Sequence, residues 1–207
     1  MSDWIDRQLR SRGIADERVL EAMRRVPREL FVPLEERVHA YDDSALPIGH
    51  GQTISQPYVV ALTCSTLRLR GHERVLDVGT GSGYQAAVLA ELAGSVVGIE
   101  RIPELVAAAR RNLAAAGADV EVLEGDGAKG APDRAPFDAI AVAAGAEELP
   151  AALVEQLAPE GRMVIPLRDE LVLVTTPGPA VRALGPVRFV PLVTGFPPSD
   201  RGTDATA

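Results

Sequence analysis

Short apolar runs alternate with longer alanine-rich segments through the middle of the chain, from Arg74 to about Pro166. The short runs are rich in Val and Ile and predict strands, whereas the longer segments carry apolar residues at helical spacing. The predicted strands are RVLDVG, SVVGIE, VEVLEG, FDAIAVA and RMVIPL, and the predicted helices are YQAAVLAELAG, PELVAAARRNLAAAG and PAALVEQLAPEG. This alternation predicts an α/β fold, a Rossmann-like, doubly wound and mostly parallel sheet with helices on both faces.

The pattern changes at both ends of this core. From Trp4 to about Leu34 the apolar residues have helical spacing, which predicts an N-terminal helical cap whose helical pattern stops at Pro27. After Pro166 the runs ELVLVTT and VRFVPLV are joined by only PGPAVRALGP. Such a link is too short for a crossover helix, so we expect an antiparallel hairpin at the sheet edge near the C-terminus. The last segment, FPPSDRGTDATA, has little to bury, and we expect it to be mobile.

The length and apolar content fit one domain. With 207 residues and 46% hydrophobic content, the chain can bury one core. We expect a single domain over residues 1–207, made of N-terminal helices and a polar loop (1–56), a Rossmann-like core (57–193) and a tail (194–207).

The charge balance excludes some classes of partner. Lys and Arg number 21 against 29 Asp and Glu, a net charge of −8, which opposes sequence-independent nucleic-acid binding. The single cysteine, Cys64, excludes an intramolecular disulfide and a multi-cysteine zinc site, and its apolar surroundings predict a buried thiol. We expect no metal. The charged first residues and the absence of an apolar run of about 18 residues predict a cytoplasmic protein without membrane association.

A polar segment, HGQTISQP, lies at His50 to Pro57. It is too polar for a core strand and too rich in glycine for a helix, and Pro57 can begin the next helix. In an extended chain Thr53 and Ser55 would point to the same side, because side chains alternate with period two. The segment is therefore either a ligand-binding loop that presents two hydroxyls or a plain polar connection between helices.

A glycine-rich turn, VLDVGTGSGY, follows about twenty residues later, between a predicted strand and a predicted helix. That is the context of a nucleotide-binding loop. Tyr84 stands where a dinucleotide fingerprint would carry its third glycine, which opposes an NAD site. The turn resembles motif I of the class I S-adenosylmethionine-dependent methyltransferases, although a purely structural turn is the alternative.

Two acidic residues are predicted at strand ends on the same rim. Glu100 closes SVVGIE, where a carboxylate can accept hydrogen bonds from both ribose hydroxyls, and Asp126 follows VEVLE, placed to accept one from an adenine amine. Each alone could be a solvated turn carboxylate. Ligands of open α/β sheets bind at the carboxyl ends of the strands, so together with the glycine turn these residues indicate an adenosine site. An acidic rim suits a cationic sulfonium better than a pyrophosphate.

The whole set of motifs resembles the protein-L-isoaspartate O-methyltransferase family. The likeness extends from Ile5 to Val193 and is carried, in order, by YDDSALPIGHGQTISQPYVVA, VLDVGTGSGYQAAVLAEL, GIERI, EGDG, APFDAI, LVEQLAPEGRMVIPL and VRFVPLV. It implies methyl transfer from S-adenosylmethionine to the α-carboxylate of L-isoaspartyl residues in damaged proteins and peptides. The methyl ester then collapses to a succinimide, which begins repair, and S-adenosylhomocysteine is the other product.

The resemblance also implies roles for residues. Ser55 would be the catalytic residue that aims the substrate carboxylate, and Gln52, Thr53, Ile54 and Ser55 would bind the substrate. The residues implied for cofactor binding are Asp77, Gly79, Thr80, Gly81, Gly83, Glu100, Arg101, Asp126 and Gly127. A carboxylate is already ionised at neutral pH, so the transfer needs position rather than a strong base. The resemblance further implies a monomer.

The chain departs from the family pattern near the predicted pocket, at Ala128, Ala131, Ala143 and Leu167. These departures leave substrate choice open. One alternative is a carboxylate methyltransferase of the same fold that acts on a dedicated peptide or small molecule. Another is a nucleotide-binding oxidoreductase or a non-catalytic binding module.

Overall fold

The computed structural model describes residues 3–195, and its centre is a seven-stranded sheet. The strand order is β5-β4-β3-β6-β7-β8-β9, with β3 (Arg74–Val78), β4 (Ser95–Glu100), β5 (Glu121–Glu124), β6 (Phe137–Val142), β7 (Leu157–Leu167), β8 (Glu170–Thr175) and β9 (Ala180–Pro186). The first five strands in this order pair in parallel, and β7-β8 and β8-β9 pair antiparallel. The sequence prediction of a mostly parallel α/β sheet with antiparallel strands near the C-terminus is confirmed.

Six α-helices surround the sheet within residues 3–195. They are α1 (Asp3–Gln8), α2 (Glu17–Arg25), α3 (Pro57–Leu67), α4 (Tyr84–Ala90), α5 (Pro103–Ala116) and α6 (Ala151–Glu155). The helix ends follow local chemistry. The Asp16 carboxylate caps α2 by accepting hydrogen bonds from two backbone N–H groups, and Gly117 ends α5 in the left-handed region at φ +69°.

The strands bury alternate residues on two faces, which gives two apolar clusters. Val75 packs on the face covered by helices α2 to α5, whereas Leu76 and Val78 pack on the other face with Leu153 of α6. The N-terminal segment packs against the first face through buried residues such as Trp4, Ile5, Leu9, Val19, Leu20, Met23 and Phe31. The predicted N-terminal helical cap is thereby confirmed, with short 3-10 helices at Arg10–Arg12, Arg28–Phe31 and Leu34–His39.

The C-terminal hairpin differs from the sequence prediction. The second strand of that hairpin is β9, which lies in the segment we expected to be the turn-rich link, and VRFVPLV (187–193) is not a strand of the sheet. Pro186 ends β9, and Pro191 opposes a strand in the segment that follows, because proline cannot donate to a strand ladder. Similarly, α6 ends at Glu155 and β7 begins at Leu157, so the predicted helix PAALVEQLAPEG is shorter than its pattern suggested. Residues 196–207 of the predicted mobile tail lie outside the described residues.

The segment HGQTISQP forms part of a small antiparallel hairpin rather than an open loop. Strand β1 (Leu46–Gly49) pairs with β2 (Gln52–Ile54), and His50 and Gly51 make the turn with positive φ angles. Pro57 occupies the first turn of α3, as its position in the sequence predicted. The hairpin therefore holds Ser55 in the short connection between a strand and a helix.

Candidate active site

A cleft lies at the carboxyl ends of β3, β4 and β6. Its walls include Gln52, Thr53, Gly79, Gly81, Glu100, Arg101 and Gly127 from the predicted site, together with apolar residues such as Ile48, Ile99, Ile102, Leu192 and Val193. Parallel strands end together on this rim, which is where open α/β sheets bind ligands. The structure thus brings together predicted site residues that lie up to 75 positions apart in the sequence, from Gln52 to Gly127.

Glu100 is the anionic group of this cleft. Its carboxylate is 6% exposed and is held by three backbone N–H groups: Gly81 donates to Oε2 at 3.0 Å, and Arg101 and Ile102 donate to Oε1 at 2.8 and 3.0 Å. Each carboxylate oxygen can accept about two hydrogen bonds, so Oε2 retains one accepting site and Oε1 retains none. The carboxylate is therefore fixed in direction and can accept a ligand hydroxyl at Oε2.

The glycine turn gives its N–H groups to the protein itself. The N–H groups of Gly79 and Thr80 both donate to the Ile99 carbonyl oxygen, and that of Gly81 donates to Glu100. These three groups cannot cradle a phosphate while they make these bonds, and the Glu100 charge would repel one. The turn therefore fits an uncharged ribose or a cationic ligand and does not fit a pyrophosphate.

Gly83 and Asp77 lie behind the cleft rather than in its lining. A side chain at Gly83 would come within 3.1 Å of Leu113, so this glycine lets α4 and α5 pack closely. Asp77 is fully buried and accepts a hydrogen bond from Gln85 of α4 at 2.7 Å, whereas its Oδ2 has no hydrogen-bond partner within the described residues. Burial, together with the charge of Glu100, raises the pKa of Asp77 to about 6, although the Gln85 hydrogen bond lowers it.

Asp126 lies next to the cleft, where its carboxylate accepts two backbone hydrogen bonds. Its Oδ1 accepts from the Ala128 N–H at 3.0 Å and its Oδ2 from the Gly195 N–H at 2.8 Å. Gly195 also accepts a hydrogen bond from Nε of Arg101 at 3.0 Å. The adjoining Gly127, not the carboxylate itself, lines the cleft.

A second cleft adjoins the first on the side of the β1-β2 hairpin. Thr53 and Ser55 both line it, as do Tyr58 and Leu62 of α3 and the segment Leu184 to Val190. Ile54 points the other way, into the core, where it is 5% exposed. This alternation is the one that an extended segment predicts, and it places both hydroxyls toward one space.

The two clefts share three lining residues: Thr53, Ala143 and Val190. A smaller pocket between them is lined by Thr53, Ile54 and Ser55 on one side and by Gly79, Thr80 and Gly81 on the other. The predicted substrate residues and the predicted cofactor residues therefore face each other across a narrow boundary. Within residues 3–195 the Ser55 hydroxyl forms no hydrogen bond, so it is free to donate one to a ligand.

The departures from the family pattern lie at different distances from this boundary. Ala143 lines all three pockets, whereas Ala131 is buried and donates its N–H to Gln156 at 2.8 Å. Ala128 donates its backbone N–H to Oδ1 of Asp126, the residue that caps this turn, and Leu167 forms an isolated bridge with Ala146. Of the four, Ala143 stands where it can contact a ligand.

The segment Val190 to Val193 is a part of the site that the sequence did not predict. This segment crosses the carboxyl rim and is held by hydrogen bonds between Gly145 and both Val190 and Leu192, at 2.8 and 2.7 Å. Its four residues line the first cleft. The signal was Pro191, which excludes a central strand and indicates an irregular segment.

The structure gives two further facts about the described residues. Cys64 is buried, and burial raises the pKa of its thiol, in agreement with a structural role. Between residues 3 and 195 there is no cluster of three or more His, Cys, Asp or Glu side chains arranged to hold a metal. Over the same residues, no helix has the length and hydrophobicity to cross a membrane.

Known proteins resemble this chain over nearly its whole length. Residues 2–196 match the family model of protein-L-isoaspartate(D-aspartate) O-methyltransferase. Among curated relatives, the protein-L-isoaspartate O-methyltransferase of Methanoculleus marisnigri is 51% identical over 201 residues, covering 94% of this chain and 91% of its own length. Protein-L-isoaspartate O-methyltransferase 2 of Marinobacter nauticus is 57% identical over 195 residues, covering 90% and 89%.

A solved structure extends the likeness to the fold. A Plasmodium falciparum protein described as a protein-L-isoaspartate O-methyltransferase, crystallised with S-adenosyl-L-homocysteine, superposes with a TM-score of 0.80 at 28% identity. The match covers 94% of this chain and 98% of that one. By the family model, the identity with these relatives and the shared fold, this chain belongs to the protein-L-isoaspartate(D-aspartate) O-methyltransferase family.

Proposed function

We propose that the two adjoining clefts serve the two substrates of a methyl transfer, with S-adenosylmethionine in the cleft of Glu100 and an isoaspartyl peptide in the cleft of Ser55. The chain is an S-adenosylmethionine-dependent enzyme that methylates L-isoaspartyl residues of proteins and peptides, the first step of their repair. The roles proposed for the residues below are supported by one observation: the two clefts share a wall formed by Thr53, Ala143 and Val190.

The cofactor residues divide into those that line the cleft and those that support it. Glu100 accepts a ribose hydroxyl at Oε2, and Gly79, Gly81, Arg101 and Gly127 shape the wall. Thr80 and Gly83 hold the turn, Asp77 places a carboxyl group behind it, and Asp126 holds the backbone N–H groups of Ala128 and Gly195 beside Gly127. When bound, S-adenosylmethionine supplies an electrophilic methyl group on a sulfonium, whose positive charge suits this acidic rim.

The substrate residues need only orient an acceptor that is already reactive. The α-carboxylate of an isoaspartyl residue is ionised at neutral pH, since free carboxyl groups have pKa values near 4. The Ser55 hydroxyl donates to one carboxylate oxygen and leaves the other facing the cofactor cleft, while Gln52, Thr53 and Ile54 form the boundary. Fixing two reactants in line can supply roughly 7 to 11 kcal/mol of a barrier, so position can carry the catalysis.

One assay tests the function. The protein is incubated with methyl-labelled S-adenosylmethionine and two peptides that differ only in carrying L-isoaspartate or L-aspartate at one position, and base-labile methanol is measured. We expect label on the isoaspartyl peptide alone. Equal labelling of the two peptides, or labelling of neither, would contradict the assignment of isoaspartyl methylation. A third peptide with D-aspartate reports the stereochemical selectivity of the site.

We further infer that the protein works as a single-domain, cytoplasmic monomer that binds neither nucleic acid nor membranes. The net charge of −8 and the single buried cysteine support this inference. Light scattering coupled to gel filtration tests the monomer, and a mass of twice 21.9 kDa would contradict it.

A further inference from the structure

Arg28 is a fully buried arginine that no acidic side chain pairs with. It lies in the 3-10 helix Arg28–Phe31, has 0% exposure, and forms no salt bridge within residues 3–195. Burying a charge without a charged partner is expensive, and burial here lowers the pKa of the guanidinium. A group kept at that cost is expected to do something that an apolar side chain could not.

The hydrogen bonds of Arg28 reach two separate parts of the chain. Its Nε donates to the Ala40 carbonyl oxygen at 2.7 Å, and its Nη2 donates to the Ser55 carbonyl oxygen at 2.8 Å. The two bonds start from different nitrogens of one rigid, planar guanidinium, whereas a lysine would have to make both from a single nitrogen on a flexible stem. Arg28 therefore ties the connection that carries Ser55 to the N-terminal helical cap.

The same guanidinium also contacts the cofactor side of the molecule. Its central carbon lies 4.7 Å from the ring centre of Tyr84, within range of a cation–π interaction. Tyr84 is the first residue of α4 and directly follows the glycine turn that ends at Gly83. One side chain thus contacts both the peptide unit of Ser55 and the helix that begins at the cofactor turn.

We propose that Arg28 is a positioning residue for the methyl transfer: it fixes the Ser55 peptide unit relative to the cofactor turn, so that the Ser55 hydroxyl aims the substrate carboxylate at the methyl donor. This inference rests on the role proposed for Ser55. The carbonyl oxygen of Ser55 is held by a charge-assisted hydrogen bond, and its hydroxyl is left free for the substrate. Arg28 lines neither cleft, so it acts through Ser55 rather than on a ligand.

The test compares Arg28→Lys and Arg28→Met with Arg162→Met. Arg162 is the control because it also donates to backbone carbonyl oxygens, those of Leu67 and Arg68, and it binds Glu73 at the opposite edge of the sheet, away from both clefts. For each variant we would measure the unfolding midpoint, the affinity for S-adenosylhomocysteine, and kcat and KM for the isoaspartyl peptide at a temperature well below that midpoint.

We expect Arg28→Lys to fold, to bind S-adenosylhomocysteine nearly as the parent does, and to lose about tenfold to a hundredfold in kcat, the loss typical of a displaced reacting group. Arg28→Met should lose at least as much. Arg162→Met should lower the unfolding midpoint and leave kcat nearly unchanged. This split separates positioning from plain structural support.

Three results would overturn the inference. Parental kcat in Arg28→Lys would show that the forked contact does not set the Ser55 geometry, whether or not Arg28→Met folds. An equal fall of kcat in Arg162→Met would show that kcat follows stability. If the parent protein fails to label the isoaspartyl peptide, the proposed function itself fails and the role of Arg28 fails with it, an outcome visible before any variant is made.

Discussion

The two ends of strand β3 carry two buried carboxylates with opposite properties. Glu73, just before the strand, accepts hydrogen bonds from the N–H groups of Arg70, Gly71 and His72 and from Arg162. Asp77, near the other end, has one partner, Gln85, and an oxygen with none in the described chain. Although burial raises the pKa of Glu73, the backbone N–H groups bring it down to about 2, whereas burial and Glu100 raise that of Asp77 to about 6.

The difference separates stability from function along a single strand. The amino-terminal end satisfies its charge within the protein, so that charge stabilises the fold. The carboxyl-terminal end keeps an unsatisfied acceptor beside the cofactor cleft, at a cost in stability. Polar groups that a fold leaves unsatisfied tend to lie at functional sites. Strand β3 has a satisfied carboxylate, Glu73, at one end and a partly unsatisfied one, Asp77, about 13 Å away along the strand.

The largest effect is expected at the amino-terminal end. Glu73→Ala leaves several N–H groups and Arg162 without their acceptor, so the free energy of unfolding should fall by about 3 kcal/mol. Chemical denaturation measures this loss, and kcat should be unchanged in the folded variant. Glu121→Ala is the control, because Glu121 also binds an arginine, Arg134, but at the surface, where little change is expected. A comparable loss in both variants would contradict the comparison.

A smaller effect of opposite sign is expected at the other end. Asp77→Asn removes a buried charge and keeps an oxygen for Gln85, so at pH 8 the free energy of unfolding should rise by about 2 kcal/mol. The affinity for S-adenosylhomocysteine should fall at the same time. If Asp77→Asn is less stable than the parent at pH 8, the Asp77 carboxylate stabilises the fold as that of Glu73 does, and the comparison fails.

The pH dependence has a sign that follows from the two pKa values. Glu73 has a folded pKa of about 2 against 4.5 for the free group, so its stabilisation is present above 4.5 and is lost as the pH falls through about 2. Asp77 has a folded pKa of about 6 against 3.8, so it makes the protein less stable as the pH rises from about 4 to 6. When the free energy of unfolding is plotted against pH, Glu73→Gln should lose the fall in stability at low pH. Asp77→Asn should lose the fall in stability between about pH 4 and 6.

A third effect concerns the cofactor cleft alone. Glu100→Gln removes the negative charge of the carboxylate. Its amide NH₂ also faces at least one of the three backbone N–H groups that donate to Glu100 in the parent. The affinity for S-adenosylhomocysteine should fall by about tenfold, the value of one hydrogen bond to a charged acceptor. Isothermal titration calorimetry measures it. Unchanged affinity would remove Glu100 from the cofactor site.

The sequence predicted the parallel core well because hydrophobic period and glycine positions are local signals. RVLDVG and SVVGIE became β3 and β4, and Glu100 came to the rim because strand ends meet there. The path of VRFVPLV was not predictable from its apolar residues, since Pro191 and the hydrogen bonds to Gly145 decide it over long range. The position of Asp77 behind the glycine turn and the link from Arg28 to Ser55 likewise depend on packing between distant segments.

The central claim is that the cleft of Ser55 orients the substrate while the cleft of Glu100 binds the cofactor. The measurement that tests it most directly is the pair of values, kcat with the isoaspartyl peptide and affinity for S-adenosylhomocysteine, in Ser55→Ala. Loss of one positioned donor should lower kcat by about a hundredfold and leave the affinity nearly unchanged. An unchanged kcat, or a collapse of cofactor affinity, would contradict the assignment of the two clefts.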